Sequence, residues 1–176
     1  MGADLTSFRP AALPDAEAVA AIHDAAWRST YQGIIPHLHL ERMINRRGPL
    51  WWQRQIQRGS KITLFMYDGV PQGYAAWGEA RGSWPWAAGE IFELYVSPIF
   101  QGLGFGSRLF TAVRQDLKRQ GLFRLVVWAL KDNEAACAFY GGLGGVPLTS
   151  APERFGETSL TRVAFAWGVN VKSSNT

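Results

Sequence analysis

The spacing of apolar residues changes several times along the chain, and each change marks an element. Thr6 to Arg9 reads as a short first strand. From Ala16 to Trp27 an alanine-rich run sets Val19, Ile22, His23, Ala26 and Trp27 near one face at helical spacing. Leu13-Pro14-Asp15 starts that helix, with proline suited to the first turn and Asp15 to the dipole. A second helical region runs from about His37 to Asn45 and is broken by Arg46-Arg47-Gly48-Pro49; Leu50 to Arg58 is a candidate further helix. Lys61 to Tyr67 and Val70 to Trp77 are strand-like runs on either side of Asp68-Gly69, a hairpin signal. Gly82 to Trp86 is a loop. Ile91 to Val96 is a further strand, ended by Ser97-Pro98 because proline cannot donate to a ladder. The next helix carries Leu109, Phe110, Val113 and Leu117 and ends near Gln120-Gly121. Phe123 to Leu130 is almost continuously apolar, the mark of a strand buried on both faces. A short helix over Asn133 to Tyr140, a glycine-rich turn over Gly141 to Gly145, and strands over Val146 to Thr149 and Thr158 to Trp167 complete the chain.

The resulting order is β-α-α-β-β-β-α-β-α-β-β. It predicts an α/β (α+β) fold: one mixed sheet with helices on both faces. One domain is expected over residues 1–168, with 169–176 as a flexible tail.

One stretch of that pattern carries chemistry. The strand Ile91 to Val96 is followed by Gln101-Gly102-Leu103-Gly104-Phe105-Gly106 and then by a helix. A glycine-rich turn at a helix N-terminus offers free amides and the positive end of a dipole to an anion. Glycines let the backbone approach a bulky diphosphate. No Gly-Lys-Ser/Thr follows the turn, so phosphate-loop lysine chemistry is not expected.

Composition narrows the classes. In 176 residues, 47% are hydrophobic and 18% charged, which calls for a packed globular core rather than disorder. No apolar run approaches the ~20 residues that span a bilayer, and the N-terminus has no apolar signal core, so a cytoplasmic protein is expected. The lone Cys137 excludes an internal disulfide and agrees with a reducing compartment. The net charge of +4 suits an acidic ligand, but no basic run interleaved with aromatics points to nucleic acid. His37 and His39 face different ways on a helix, and with His23 they make no metal set; no metal is expected. Cys137 has no neighbouring base that would activate a nucleophile.

At Gln101-x-x-Gly104-x-Gly106 the sequence resembles the GNAT superfamily of acetyl-CoA-dependent N-acetyltransferases, in its bacterial type. Leu94-Tyr95-Val96-Ser97-Pro98 looks like that family's fourth strand, and Asn133 to Tyr140 with Leu143-Gly144 is similar to its second CoA motif. Trp27-x-x-x-Tyr31-x-Gly33-Ile34-Ile35-Pro36 resembles a segment common in bacterial members. One departure is Gly145, where the family often carries an aromatic residue that anchors the last hairpin.

The resemblance implies a six- to seven-stranded, mostly antiparallel sheet whose fourth and fifth strands splay apart around the pantetheine of acetyl-CoA. It implies that backbone groups of Gln101, Gly102, Leu103, Gly104, Phe105, Gly106 and Ser107 hold the pyrophosphate. Leu94 and Val96 would offer unpaired backbone groups to the cofactor, the Leu94 amide polarising the thioester carbonyl. Direct aminolysis needs a neutral amine, so a group must accept its proton. Glu90 matches a position where some members carry that base; Glu93 is the alternative, or contacts the acceptor amine. Their odd spacing puts them on opposite faces of a regular strand. Tyr140, with an ordinary pKa near ~10, would protonate the departing CoA thiolate. Asn133 shares a helical face with Cys137 and Tyr140, and it would either bond the pantetheine arm or cap its helix, or both. Trp27 and Tyr31 stack on one helical face and would help close the acceptor site, although core filling explains them equally. Trp51, Trp52, Trp84 and Trp86 would line a pocket or a dimer interface.

The resulting expectation is acetyl transfer from acetyl-CoA to a small primary amine, with a homodimer possible. The rivals are a peptide or protein N-terminal or lysine acetyltransferase and a non-catalytic acetyl-CoA sensor.

Overall fold

The computed structural model describes residues 5–86 and 88–169. The tail expected over 169–176 therefore lies, apart from its first residue, outside the described residues. Strands β1 (Thr6–Pro10), β2 (Lys61–Tyr67), β3 (Val70–Glu79), β4 (Ala88–Val96), β5 (Arg124–Leu130), β6 (Val146–Phe155) and β7 (Thr158–Trp167) form one seven-stranded sheet. Its spatial order is β1-β2-β3-β4-β5-β7-β6. Every neighbouring pair is antiparallel except β4 and β5, which run parallel because helix α4 (Phe105–Arg119) carries the chain back between them. Helices α1 (Ala16–Tyr31), α2 (His37–Arg46) and α3 (Pro49–Gln57) separate β1 from β2, and α5 (Glu134–Gly142) follows β5. The mixed sheet with helices on both its faces is as the sequence pattern predicts, and its mostly antiparallel pairing is as the resemblance implies.

Local chemistry explains the element boundaries. Asp68 and Gly69 both have positive φ, 48° and 74°, the signature of the tight turn whose twist matches a hairpin. Asp15, buried, accepts from the Ala12 amide at 2.7 Å and takes the forked Arg9 guanidinium at 2.7 and 2.8 Å. The Arg9 hydrogen bonds hold its carboxyl below the usual range. β6 runs through Phe155, well beyond the Val146 to Thr149 expected from sequence. Its two prolines, Pro147 and Pro152, obscure a strand pattern, yet they are tolerated because β6 lies at the sheet edge.

The core has two layers. On one face Ile91, Val96 and Trp77 pack against Leu109, Phe110, Val113 and Leu117 of α4. On the other, Leu64 and Tyr74 pack against Val19 of α1 and the fully buried Trp52 of α3. Gly145 shows why the family's usual aromatic is dispensable here. A Cβ at that position would come within 2.5 Å of the Trp167 ring, so β7 already fills the space. The Trp167 indole donates to the Leu143 carbonyl at 2.9 Å and closes the turn.

Two irregularities of β4 position the site. Pairing with β5 stops at Ile91 and Val127, leaving Phe92 to Val96 with no strand on that side. Opposite β3, Ala76 faces Glu93 and Trp77 faces Ile91, so Phe92 is the extra residue of a β-bulge.

Candidate active site

The open side of β4 begins with its backbone. The Ser97 amide donates to Gln72 of β3 at 2.7 Å. By strand alternation the N–H and C=O of Leu94 and Val96 then point the other way, into the gap beside β5. The Val96 carbonyl is already taken by the Gln101 side-chain amide at 3.0 Å. Gln101 thus braces the turn with its side chain, a use that its position in the glycine motif does not suggest.

Past that brace the chain turns on Gly102 and Gly104, whose φ values of 76° and 82° favour glycine. Gly104 is the N-cap of α4, and no side chain caps it. The amides of Phe105, Gly106 and Ser107 precede the first helical hydrogen bond, from Arg108 to Gly104 at 3.3 Å. Gly106 keeps its face clear for Phe139 of α5, whose ring would meet a Cβ there at 3.4 Å. The turn, the open side of β4, the end of β5 and α5 enclose a cavity of about 710 Å³. Leu94, Val96, Gln101, Gly102, Gly104, Gly106, Ser107, Asn133 and Tyr140 all line it. Leu103, among the residues expected there, is exposed, and Phe105 instead stacks on Phe65 at 4.6 Å.

Asn133 caps α5, accepting from the Ala136 amide at 3.2 Å, and it also lies against the Tyr31 hydroxyl. Tyr140 is buried among Phe110, Phe139, Phe165 and Trp167. Burial pushes its phenol well above the ordinary value and keeps it protonated. The Cys137 thiol is likewise raised by burial, which makes it a poor nucleophile.

A second cavity of about 640 Å³ lies on the α1–α2 side. Tyr31, Phe92, Glu93, Tyr95, Trp128 and Ala129 line both cavities, so they form the wall where the two meet. Here the bulge at Phe92 overturns the parity argument. Glu90 pairs with Gly78 and Glu93 with Ala76, two residues apart on a regular strand, so both carboxylates project from the same face. Both line the second cavity.

Each glutamate has its own support. Glu93 accepts from Arg47 and from the Tyr74 hydroxyl, the latter at 2.8 Å. Glu90, 3% exposed, accepts from the Arg81 amide at 2.8 Å and from its guanidinium at 3.3 Å. Arg47 comes from the stretch that sequence shows only as a helix break. It lies over the Trp27 and Trp51 rings at 5.4 and 4.9 Å. Burial lowers its proton affinity, yet an arginine stays charged in such a setting. Trp27 and Tyr31 meet edge to face at 5.2 Å, and Tyr31 shares a 2.7 Å hydrogen bond with Tyr95. Burial raises both phenols. Beneath Trp27, His23 stacks at 4.6 Å with neither ring nitrogen bonded. Burial, then the nearby Arg47 charge, lowers its pKa to about 3. Of the other tryptophans, Trp84 lines the cavity and stacks on Trp86 at 5.5 Å, whereas Trp52 is core.

A backbone-built cleft between splayed parallel strands, beside a glycine turn that opens a helix, matches known proteins. The model of the Acetyltransferase (GNAT) family covers residues 19–144. The chain belongs to the GNAT family. It is 26% identical over 129 residues, 73% of this chain and 74% of the other, to the uncharacterized N-acetyltransferase YuaI of Bacillus subtilis. The fold is that of the PaiA N-acetyltransferase from Thermoplasma acidophilum in complex with coenzyme A: TM-score 0.73, 16% identity, 90% of this chain and 97% of that one covered. YncA of Salmonella typhimurium with acetyl-CoA superposes at TM-score 0.65 and 20% identity, over 98% of both chains. As a GNAT acetyltransferase, this chain acts with acetyl-CoA as cosubstrate. Among the described residues no cluster of metal ligands occurs, and no helix is long and apolar enough to cross a membrane.

Proposed function

We propose that this GNAT enzyme acetylates a primary amine of a small molecule by direct attack within a ternary complex. The observation that carries this reading is the pair of cavities meeting at one wall, with Glu90 and Glu93 on the same face of β4. Acetyl-CoA would lie in the cavity beside the glycine turn, its pyrophosphate on the amides of Phe105 to Ser107. The free amide of Leu94 would donate to the thioester oxygen as charge develops there. Glu93, at the shared wall and already matched by Arg47, would orient the amine. Glu90, deeper on the acceptor side, would take its proton through water. The amine nitrogen bonds to the carbonyl carbon and the C–S bond breaks; the thiolate takes the Tyr140 proton while the nitrogen releases its surplus proton, which returns the phenoxide to the phenol that burial favours. A concave acceptor cavity of about 640 Å³ with aromatic walls at Trp27, Tyr31 and Trp84 suits a small amine. The lone cysteine suits a cytoplasmic setting.

Calorimetry with acetyl-CoA, followed by an amine and peptide panel read by free thiol, tests this reading. Binding with thiol release from small amines is expected. Release with peptides alone would move the acceptor class, and binding with no release would make the protein a sensor.

A further inference from the structure

The acceptor cavity holds charges that the transfer step leaves unused. Six charged side chains line it: Glu90, Glu93, Glu153, Arg47, Arg81 and Arg162. Four are paired, Glu90 with Arg81 and Glu93 with Arg47. The remaining two, Glu153 and Arg162, make no ion pair among the described residues.

These two share a surface. On the β6–β7 ladder Glu153 faces Leu160 and Ala151 faces Arg162, which puts both side chains on one side of the sheet. On the β5–β7 ladder Arg162 faces Leu130 and Ala164 faces Trp128, so that side is also the side of Trp128 and Leu130. The Arg162 guanidinium lies over the Trp128 ring at 4.3 Å, and its Nε is buried without a hydrogen-bond partner. Trp128 belongs to the wall shared by the two cavities. Glu153 lines the same cavity as Tyr31, which also belongs to that wall. One unpaired cation and one unpaired carboxylate thus flank the point where an amine would be acetylated. Trp27, Ile35, Met43, Trp84 and Phe155 give the cavity an aromatic and apolar section, beside the hydroxyls of Ser83 and Thr149.

We infer that the acceptor is an α-amino acid with an apolar or aromatic side chain, its carboxylate bound by Arg162 and its ammonium received by Glu153 before deprotonation. This rests on the acetyltransferase reading above. An unpaired guanidinium fork beside the reaction point suits a carboxylate next to the amine. A monoamine or polyamine would leave Arg162 without its counter-ion, and a peptide N-terminus offers an amide where the carboxylate would be.

Three compounds with one side chain separate these classes: tryptophan, tryptophanamide and tryptamine. With acetyl-CoA and free-thiol detection, tryptophan is expected to exceed both others in kcat/KM by about tenfold or more, the size of a charge-assisted hydrogen bond. In Arg162→Gln that ratio falls toward one, and Arg162→Lys restores part of it; acetyl-CoA affinity verifies that each variant is folded. Equal or better turnover of tryptamine or tryptophanamide by the unaltered enzyme would overturn the inference and leave acetyl transfer standing. Tryptophan binding by calorimetry to the CoA-loaded protein without thiol release would support the acceptor class and overturn the transfer. Neither binding nor turnover of tryptophan would overturn the inference.

Discussion

The two cavities of this molecule, one proposed for the cofactor and the other for the acceptor, are built on different principles. The first uses backbone: the open side of β4, two glycines in left-handed conformation and the uncapped start of α4, all within Leu94 to Ser107. The second uses side chains drawn from α1, α2, β4, β5, β6, β7 and the loop after β3. A diphosphate can be held by amides whatever the neighbouring side chains are, provided that the turn geometry is right. An acceptor has to be recognised by shape and charge, and only side chains supply those. The first half can therefore stay constant while the second varies.

Glu90→Gln gives the largest test of that division. It is expected to lower turnover by about 10²–10⁴-fold and to flatten the pH–rate profile, while acetyl-CoA affinity by calorimetry stays put. A loss of cofactor affinity instead would break the division. Arg47→Met comes next. Removing the partner of a largely buried carboxylate costs about 3–5 kcal/mol, visible as a drop in denaturant midpoint, and the amine KM should rise.

His23 tests the acceptor side through pH. Its folded pKa of about 3 lies below the ordinary 6.5, so the unfolded chain binds the extra proton. The stability this site lends is full above about pH 6.5 and falls by up to about 1.4 kcal/mol per pH unit below it, roughly 2 kcal/mol by pH 5. Urea melts of His23→Leu should show a shallower acid slope between pH 6.5 and 5; an unchanged slope would mean that His23 charges freely in the fold. Gly104→Ala is the smallest perturbation. A left-handed alanine costs about 1–2 kcal/mol, expected as a roughly tenfold weaker acetyl-CoA KM with the amine KM unmoved. Together with Glu90→Gln it would give crossed effects, one on each half.

The same contrast explains which parts of the site are legible in the sequence. The glycine turn before α4, proposed for the pyrophosphate, is legible because it needs particular residues at adjacent positions, and the glycines at Gly102 and Gly104 announce it. Asn133 is legible as a helix cap for the same local reason. Arg47, Tyr95, Arg81, Glu153 and Arg162 are not. Along the chain Arg47 reads as part of a helix break and Tyr95 as a strand residue, and Arg162 lies on an edge hairpin whose first strand is masked by prolines. Nothing local marks a residue whose partners lie on other elements.

Period, turn chemistry and glycine spacing are local properties. The helices and most of the strands, the hairpin at Asp68-Gly69, the mixed sheet and the glycine turn therefore follow from the order of residues alone. Which glutamates share a face does not, and it took the assembled sheet to settle it. Strand parity gives Glu90 and Glu93 opposite sides, and one extra residue at Phe92, visible only against β3, turns them to the same side. A bulge is a relation between two strands, so no single strand's sequence announces it.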